Sequence, residues 1–303
     1  MAIGDLVTQP YQFEYSGFVM GTDTNTEVMN IKGLIGYGAL RNGTVTRFGN
    51  HGGVGGKHYM DARQFIVQFD AVPASEDEYG ILRQQWMTAF RPRTLPQDEE
   101  PFVFWLPGAS PGKLQIEARP IDYNFDIDRD FALFHPQPSV RFEATDPFHY
   151  TVQEYTQQIA LSADTTGLVF PLVFPLDFGA ATSNEAGLIN GGSASATWTA
   201  VIAGLIEGPR IEVSGGEGQT LNLPNLTVPA GETLEINERR RSFLLNGEQN
   251  VRQFLTKASR WFKLDPISPT NPTGNTTVRF AANGASSGAT ITFTWRWAYW
   301  GEG

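Results

Sequence analysis

Cysteine is absent from the 303 residues. That excludes a disulfide framework, a thiolate metal site and a cysteine nucleophile, and it leaves the redox compartment open. Charge is sparse, at 18% Asp, Glu, Lys and Arg, and the formal net charge is −10. Residues 1–150 hold 12 basic and 19 acidic side chains and the remainder 10 and 13, so neither half is basic. Nucleic-acid binders draw much of their affinity from Lys and Arg contacts to phosphate. No specific nucleic-acid grip is therefore expected. Long hydrophobic runs are missing as well. The most apolar stretch, GLVFPLVFPLDFGA, is too short to span a bilayer and contains Pro171 and Pro175. The opening MAIGDLVTQPYQ has neither the basic n-region nor the apolar h-region of a secretory leader. A soluble chain without membrane insertion is expected.

What is present is apolar and turn-rich. Hydrophobic residues make up 41% and aromatics 12%, with 32 glycines and 19 prolines. Such a chain has the material for real cores, and its punctuation suits short strands joined by many turns. Tyr11, Phe13 and Tyr15 alternate with Gln12, Glu14 and Ser16, a strand pattern with one polar face. Residues 26–35, 64–71, 101–106, 113–121 and 139–144 read as further strands. Between the first two lies RFGNHGGVGGKHYMDARQFIVQFDA, whose glycines predict a flexible loop.

One helix is predicted over about 75–90. Ser75 is a natural N-cap, and Glu78 three residues on completes a capping box. Tyr79, Leu82, Trp86 and Phe90 form an apolar stripe, and Pro92 ends the helix. The first half is thus a sheet with one amphipathic helix. The second half is all-β: residues 197–206, 210–214, 220–223, 232–237, 241–246, 276–281 and 289–298 read as strands of a β-sandwich. A short helix or turn is placed near residues 259–262. Domains of 1–150 and 151–303 follow.

Few motifs carry chemistry. His51 and His58 share the glycine loop, but nothing nearby completes the three or four ligands that zinc needs. GGVGGKH fails as a phosphate loop, since His51 and His58 stand where Gly and Ser or Thr are required. DIDRD, residues 126–130, opens like a calcium loop, but Phe131 and Gln137 occupy the Gly and Glu positions. A solvated strand face suits those aspartates better. No cofactor, metal or catalytic residue is assigned, and no enzymatic activity is expected. Trp295 and Trp297 alternate into the sandwich core, whereas Trp300 falls off that phase and is the candidate glycan contact. Residues 237–240 lie where the chain must reverse between two strands, so Arg239, Arg240 and Arg241 belong to a hairpin tip or its solvent-facing edge. With His51, Lys57 and His58 they are the candidate protein contacts.

The ordered features resemble the distal tail proteins, also called minor tail proteins, of long flexible-tailed bacteriophages. The resemblance runs through VRFEATDPFHY, INGGSASATWTAVIAGLIEGPRIEV with its Asn-x-Gly and Gly-x-x-x-x-Pro, GETLEINERRRSFLLNGEQNVRQFL, SRWFKLDP and the closing TVRFAANGASSGATITFTWRWAYW. It covers residues 140–300 well and the first half more loosely. Asn237 replaces a frequent Asp, and Asp265-Pro266 a Pro-Gly turn, changes of turn chemistry only. The resemblance implies an N-terminal belt that closes into a homohexameric ring and a C-terminal galectin-like or carbohydrate-module-like sandwich. It implies a structural role in the virion, joining the tail tube to the baseplate and host-attachment apparatus after assembly in the host cytoplasm. Tail tube, tape measure and receptor-binding proteins are the implied partners, with DNA passing through the ring unread. A ring needs head-to-tail contacts, and residues 41–61 are long enough to reach a neighbour. The alternative is a carbohydrate-binding protein whose sandwich reads host cell-wall glycans.

Overall fold

A computed structural model describes residues 2–93, 95, 98–108, 112–161, 184–214, 219–285 and 288–301. The apolar stretch at residues 167–180 lies outside them. The chain forms two units, Met1–Val152 with Tyr299–Gly303, and Gln153–Ala298. Residues 299–301, placed in the second domain on sequence, group with the first unit.

The first unit is built on an antiparallel sheet. Its strand order is Phe18–Gly21, Gln12–Tyr15, Glu100–Trp105, Lys113–Asn124, Ser139–Ala144, Arg63–Ala71, Thr26–Lys32. Helix Glu76–Ala89 covers one face with Tyr79, Leu82, Trp86 and Ala89. Ser75 Oγ accepts from Glu78 N at 3.3 Å, while the Glu78 carboxylate accepts from Ala74 N at 2.6 Å, one residue before the expected capping-box partner. Trp86 lies 5.0 Å from the Phe69 ring and donates its Nε1 hydrogen to Thr26 Oγ1 at 3.0 Å. Phe65, Phe102, Phe142 and Tyr15 form a ring cluster with centroid spacings of 5.0–6.4 Å.

Strand Gln12–Tyr15 departs from the expected one-sided pattern: all four residues are buried. Its polar face lies under the N-terminal segment. Gln12 Oε1 accepts from Thr8 N at 2.8 Å, and Lys113 Nζ donates to the Gly4 carbonyl at 2.9 Å. The aspartates of 126–130 do not lie on a strand either. Asp128 caps a short helix, Arg129–Ala132, by accepting from Phe131 N at 3.0 Å.

The second unit is a β-sandwich. One sheet runs Tyr155–Ala160, Thr290–Trp295, Trp198–Ala203, Thr233–Asn237, Ser242–Leu245, Gln249–Asn250. The other runs Glu185–Ile189, Asn275–Ala281, Arg210–Val213, Thr220–Asn222. Ile202, Leu234, Ile236 and Phe293 from the first sheet, and Leu188, Ile211, Val278 and Phe280 from the second, are almost fully buried. The expected strand 197–206 breaks at Gly204, whose φ of +104° ends the ladder before Ile206–Glu207. No helix forms at residues 259–262; a turn lies at 257–258 and a single 3-10 turn at Arg252–Phe254.

Candidate interaction surfaces

The glycine-rich segment is a two-stranded arm, not the expected loop. Leu40–Asn42 pairs with His58–Met60, and Val45–Thr46 with Gly53–Val54. Between these ladders the two backbones touch. A Cβ on Gly56 would lie 2.0 Å from the Gly43 carbonyl oxygen, so only glycine lets the strands cross there. At the tip Arg47 N donates to the Gly52 carbonyl at 3.2 Å. At the base Arg41 pairs with Asp61 at 2.7 Å. His51, Lys57 and His58 are all exposed along the arm. Among the described residues no three His, Asp or Glu side chains gather as metal ligands.

The arm also carries apolar side chains into solvent. Leu40, Val45, Val54 and Tyr59 are exposed, and Phe48 is fully so, at 103% of its reference area. An isolated two-stranded ribbon is marginally stable in water. Uncovered apolar side chains gathered on such a ribbon make it a candidate interaction surface.

The arm roots in a buried cation. Arg63 falls in the inward register with Phe65, Val67 and Phe69, and it is buried. Among the described residues no carboxylate is hydrogen-bonded to it. Nε donates to the Pro147 carbonyl at 2.9 Å, one terminal nitrogen to those of Gly33 and Leu34 at 3.2 and 2.8 Å, and the other to that of Trp300 at 2.9 Å. Burial lowers its pKa from the usual arginine value. Gly36 N donates to the Gly301 carbonyl at 2.7 Å. Trp300 itself packs in this unit, edge-on to Phe148 and Tyr37 at 5.1 and 6.3 Å, and is not on the sandwich.

In the second unit the arginines occupy a hairpin tip, as their sequence position predicts. Asn237 pairs with Ser242, leaving residues 238–241 as a four-residue turn. Asn237 Oδ1 accepts from Arg240 N at 2.9 Å, a role that an Asp there would fill equally, and Arg241 takes a φ of +51°. Arg239, Arg240 and Arg241 are exposed, whereas Glu238 beneath them is buried. Burial raises the Glu238 carboxyl above its usual pKa, opposed by Lys263 and Arg241. Trp295 and Trp297 both donate to the Ile189 carbonyl, at 2.8 and 2.9 Å, and Tyr155 stacks on Trp297 at 4.5 Å. These indoles are therefore structural props of the sandwich.

The Asn-x-Gly motif has a physical role that its sequence did not disclose. Asn190 is fully buried. Its Nδ2 donates to the carbonyls of Ala194 and Leu264 at 2.7 and 3.4 Å, and its Oδ1 accepts from Gly192 N and Ala298 N, both at 3.2 Å. Gly192 must be glycine, because a Cβ there would lie 1.9 Å from the Ala298 carbonyl oxygen. Arg63 was also missed as a site residue. A charge standing in the apolar register of its strand is the signal that would have found it.

A β-rich unit with one long helix, followed by a β-sandwich, is a fold that this chain shares with a solved phage protein. The crystal structure of Dit from phage SPP1, described as a paradigm of the hub adsorption apparatus in phages infecting Gram-positive hosts, superposes with a TM-score of 0.65 at 14% identity. The match covers 96% of this chain and 99% of that one, and it establishes a common fold. A chain of the phage p2 baseplate in its activated conformation follows at a TM-score of 0.46 and 9% identity, covering 93% of this chain and 97% of that one. No curated protein matches the sequence. Residues 191–297 match the siphovirus-type tail component family, C-terminal domain. The resemblance to distal tail proteins drawn from residues 140–300 is borne out by the family match and the shared fold.

Proposed function

We propose that this protein is a structural component of a siphophage tail tip, and that the arm at residues 40–60 joins one copy to the next in a closed ring. The shared hub fold and the family of residues 191–297 support the tail role. The observation that carries the ring is the arm itself, with Phe48 and four other apolar side chains uncovered in a single chain. A second copy is the natural occupant, because head-to-tail contacts between identical chains close into a ring when the rotation allows. Six copies are the number implied by the resemblance. The tail tube, tape measure and receptor-binding proteins are the proposed neighbours above and below, and the tail of the virion is the proposed location.

The test is to replace residues 43–56 with a two-residue turn and to measure mass by sedimentation velocity, with negative-stain images of the same sample. Wild-type rings should disappear while both units keep their thermal transitions. Rings that persist at the same concentration without the arm would sink the proposal.

A further inference from the structure

We propose that Arg63, together with the C-terminal return at residues 299–301, is the positioning device that fixes the direction of the arm. This rests on the ring reading only where it touches assembly. The guanidinium holds three separate stretches of chain at once. Gly33 and Leu34 belong to the segment leading into the arm, Pro147 to the chain approaching Gln153, and Trp300 to the chain after Ala298. Arginine is suited to this because its planar fork presents five donors in fixed directions, whereas lysine offers a single ammonium. The buried Leu34 carbonyl, left without its donor, would carry the full cost of desolvation.

The return makes a second contact with the same segment. Gly301 accepts the Gly36 amide, and its Cα lies so close that an added Cβ would meet the Gly36 carbonyl oxygen at 2.0 Å. Backbone meets backbone there, so no side-chain movement relieves the clash. Leu34 is buried beside Arg63, while Ile35 and Tyr37 face outward, so residues 33–37 are gripped from below and from one side. Among the described residues the arm beyond them has no such grip: its strands pair only with each other. Its angle to the sheet is therefore set at the root, by Arg63 and the return.

Two variants of the full chain test this. Gly301→Val should push the return off Gly36, and Arg63→Lys should release the carbonyls while keeping the charge. Amide exchange is read by mass spectrometry at low protein concentration, below ring formation. Peptides covering residues 33–42 should exchange about tenfold faster or more, the loss expected for one hydrogen bond to a charged group. Peptides from helix Glu76–Ala89 and strand Trp198–Ala203 should not change. At high concentration both variants should form fewer rings. Unchanged exchange at 33–42, or an equal rise in the helix, would overturn the positioning role. So would a loosened root with wild-type ring yield where the arm deletion abolishes rings. Should the arm deletion leave rings intact, the ring reading fails, and the exchange data still decide whether Arg63 positions the arm.

Discussion

Asn190 holds four backbone groups of the sandwich with one amide. Asn190→Ala takes that partner from all four, although the Leu264 carbonyl still accepts from Ala196 N at 3.0 Å, and a lost partner costs about 1–3 kcal/mol per group before relaxation. We expect a loss of about 2–4 kcal/mol, at the high end for a point change, measured by urea denaturation of residues 153–298. Tyr15 gives a second residue-scale expectation. It is fully buried, its hydroxyl donates to the Ala118 carbonyl at 3.2 Å, and burial pushes its pKa up to about 12. The folded-state value lies above the unfolded one, near 10, so the tyrosine's contribution is intact below pH 10 and is lost as pH rises towards 12. About 2–3 kcal/mol should disappear across that window in the wild type, at about 1.4 kcal/mol per pH unit. The drop should be smaller in Tyr15→Phe, and equal pH profiles for the two proteins would contradict the assignment.

At the scale of elements, the arm depends on the crossing of Gly43 and Gly56. Gly56→Val places a side chain where the Gly43 carbonyl stands, so the two short ladders cannot both form. Exchange at residues 40–60 should become that of an unstructured chain, while the stability of the sheet moves by less than about 1 kcal/mol, as for changes away from a core. Why this arm read as a loop is instructive. Glycine has low strand propensity, and the sequence holds no sign that two backbones need its missing Cβ. The helix was legible because its cap, its apolar stripe and Pro92 all agree within about twenty residues. The sandwich strands were legible through alternation, as in Ile291, Phe293 and Trp295. Strand Tyr155–Ala160 was not, because only Ile159 of its six residues is buried. Gln12 and Glu14 misled for a different reason: what covers them is the N-terminal segment, whose docking no local pattern encodes. The arginine tip was readable from its flanking strands. For Arg63 the position in the apolar register was readable, but its partners were not, since they are carbonyls from residues 33 to 300 in the chain.

For the whole molecule, the path of the chain makes the two units unequal. The second is one continuous stretch, Gln153–Ala298, and the first is not. A fragment of residues 153–298 should therefore unfold in a single cooperative transition close to that of the sandwich in the intact protein. A fragment of residues 1–152 lacks the Trp300 carbonyl and Gly301, and it should melt at least several degrees lower than the same unit in the full chain. Differential scanning calorimetry of the three proteins checks both outcomes. Equal melting of the first unit with and without residues 299–303 would count against the return as part of it.

The pairing of Tyr155 with Trp295 adds one thing more. It brings the two ends of the sandwich stretch to adjacent strands, about 5 Å apart. A segment that starts and finishes at one place can be lifted out and another spliced in with little demand on the host fold. The chain is laid out so that a single exchange between residues 153 and 298 would replace the whole sandwich. Arg63, the arm and the sheet that carries them would pass unchanged to the recombinant.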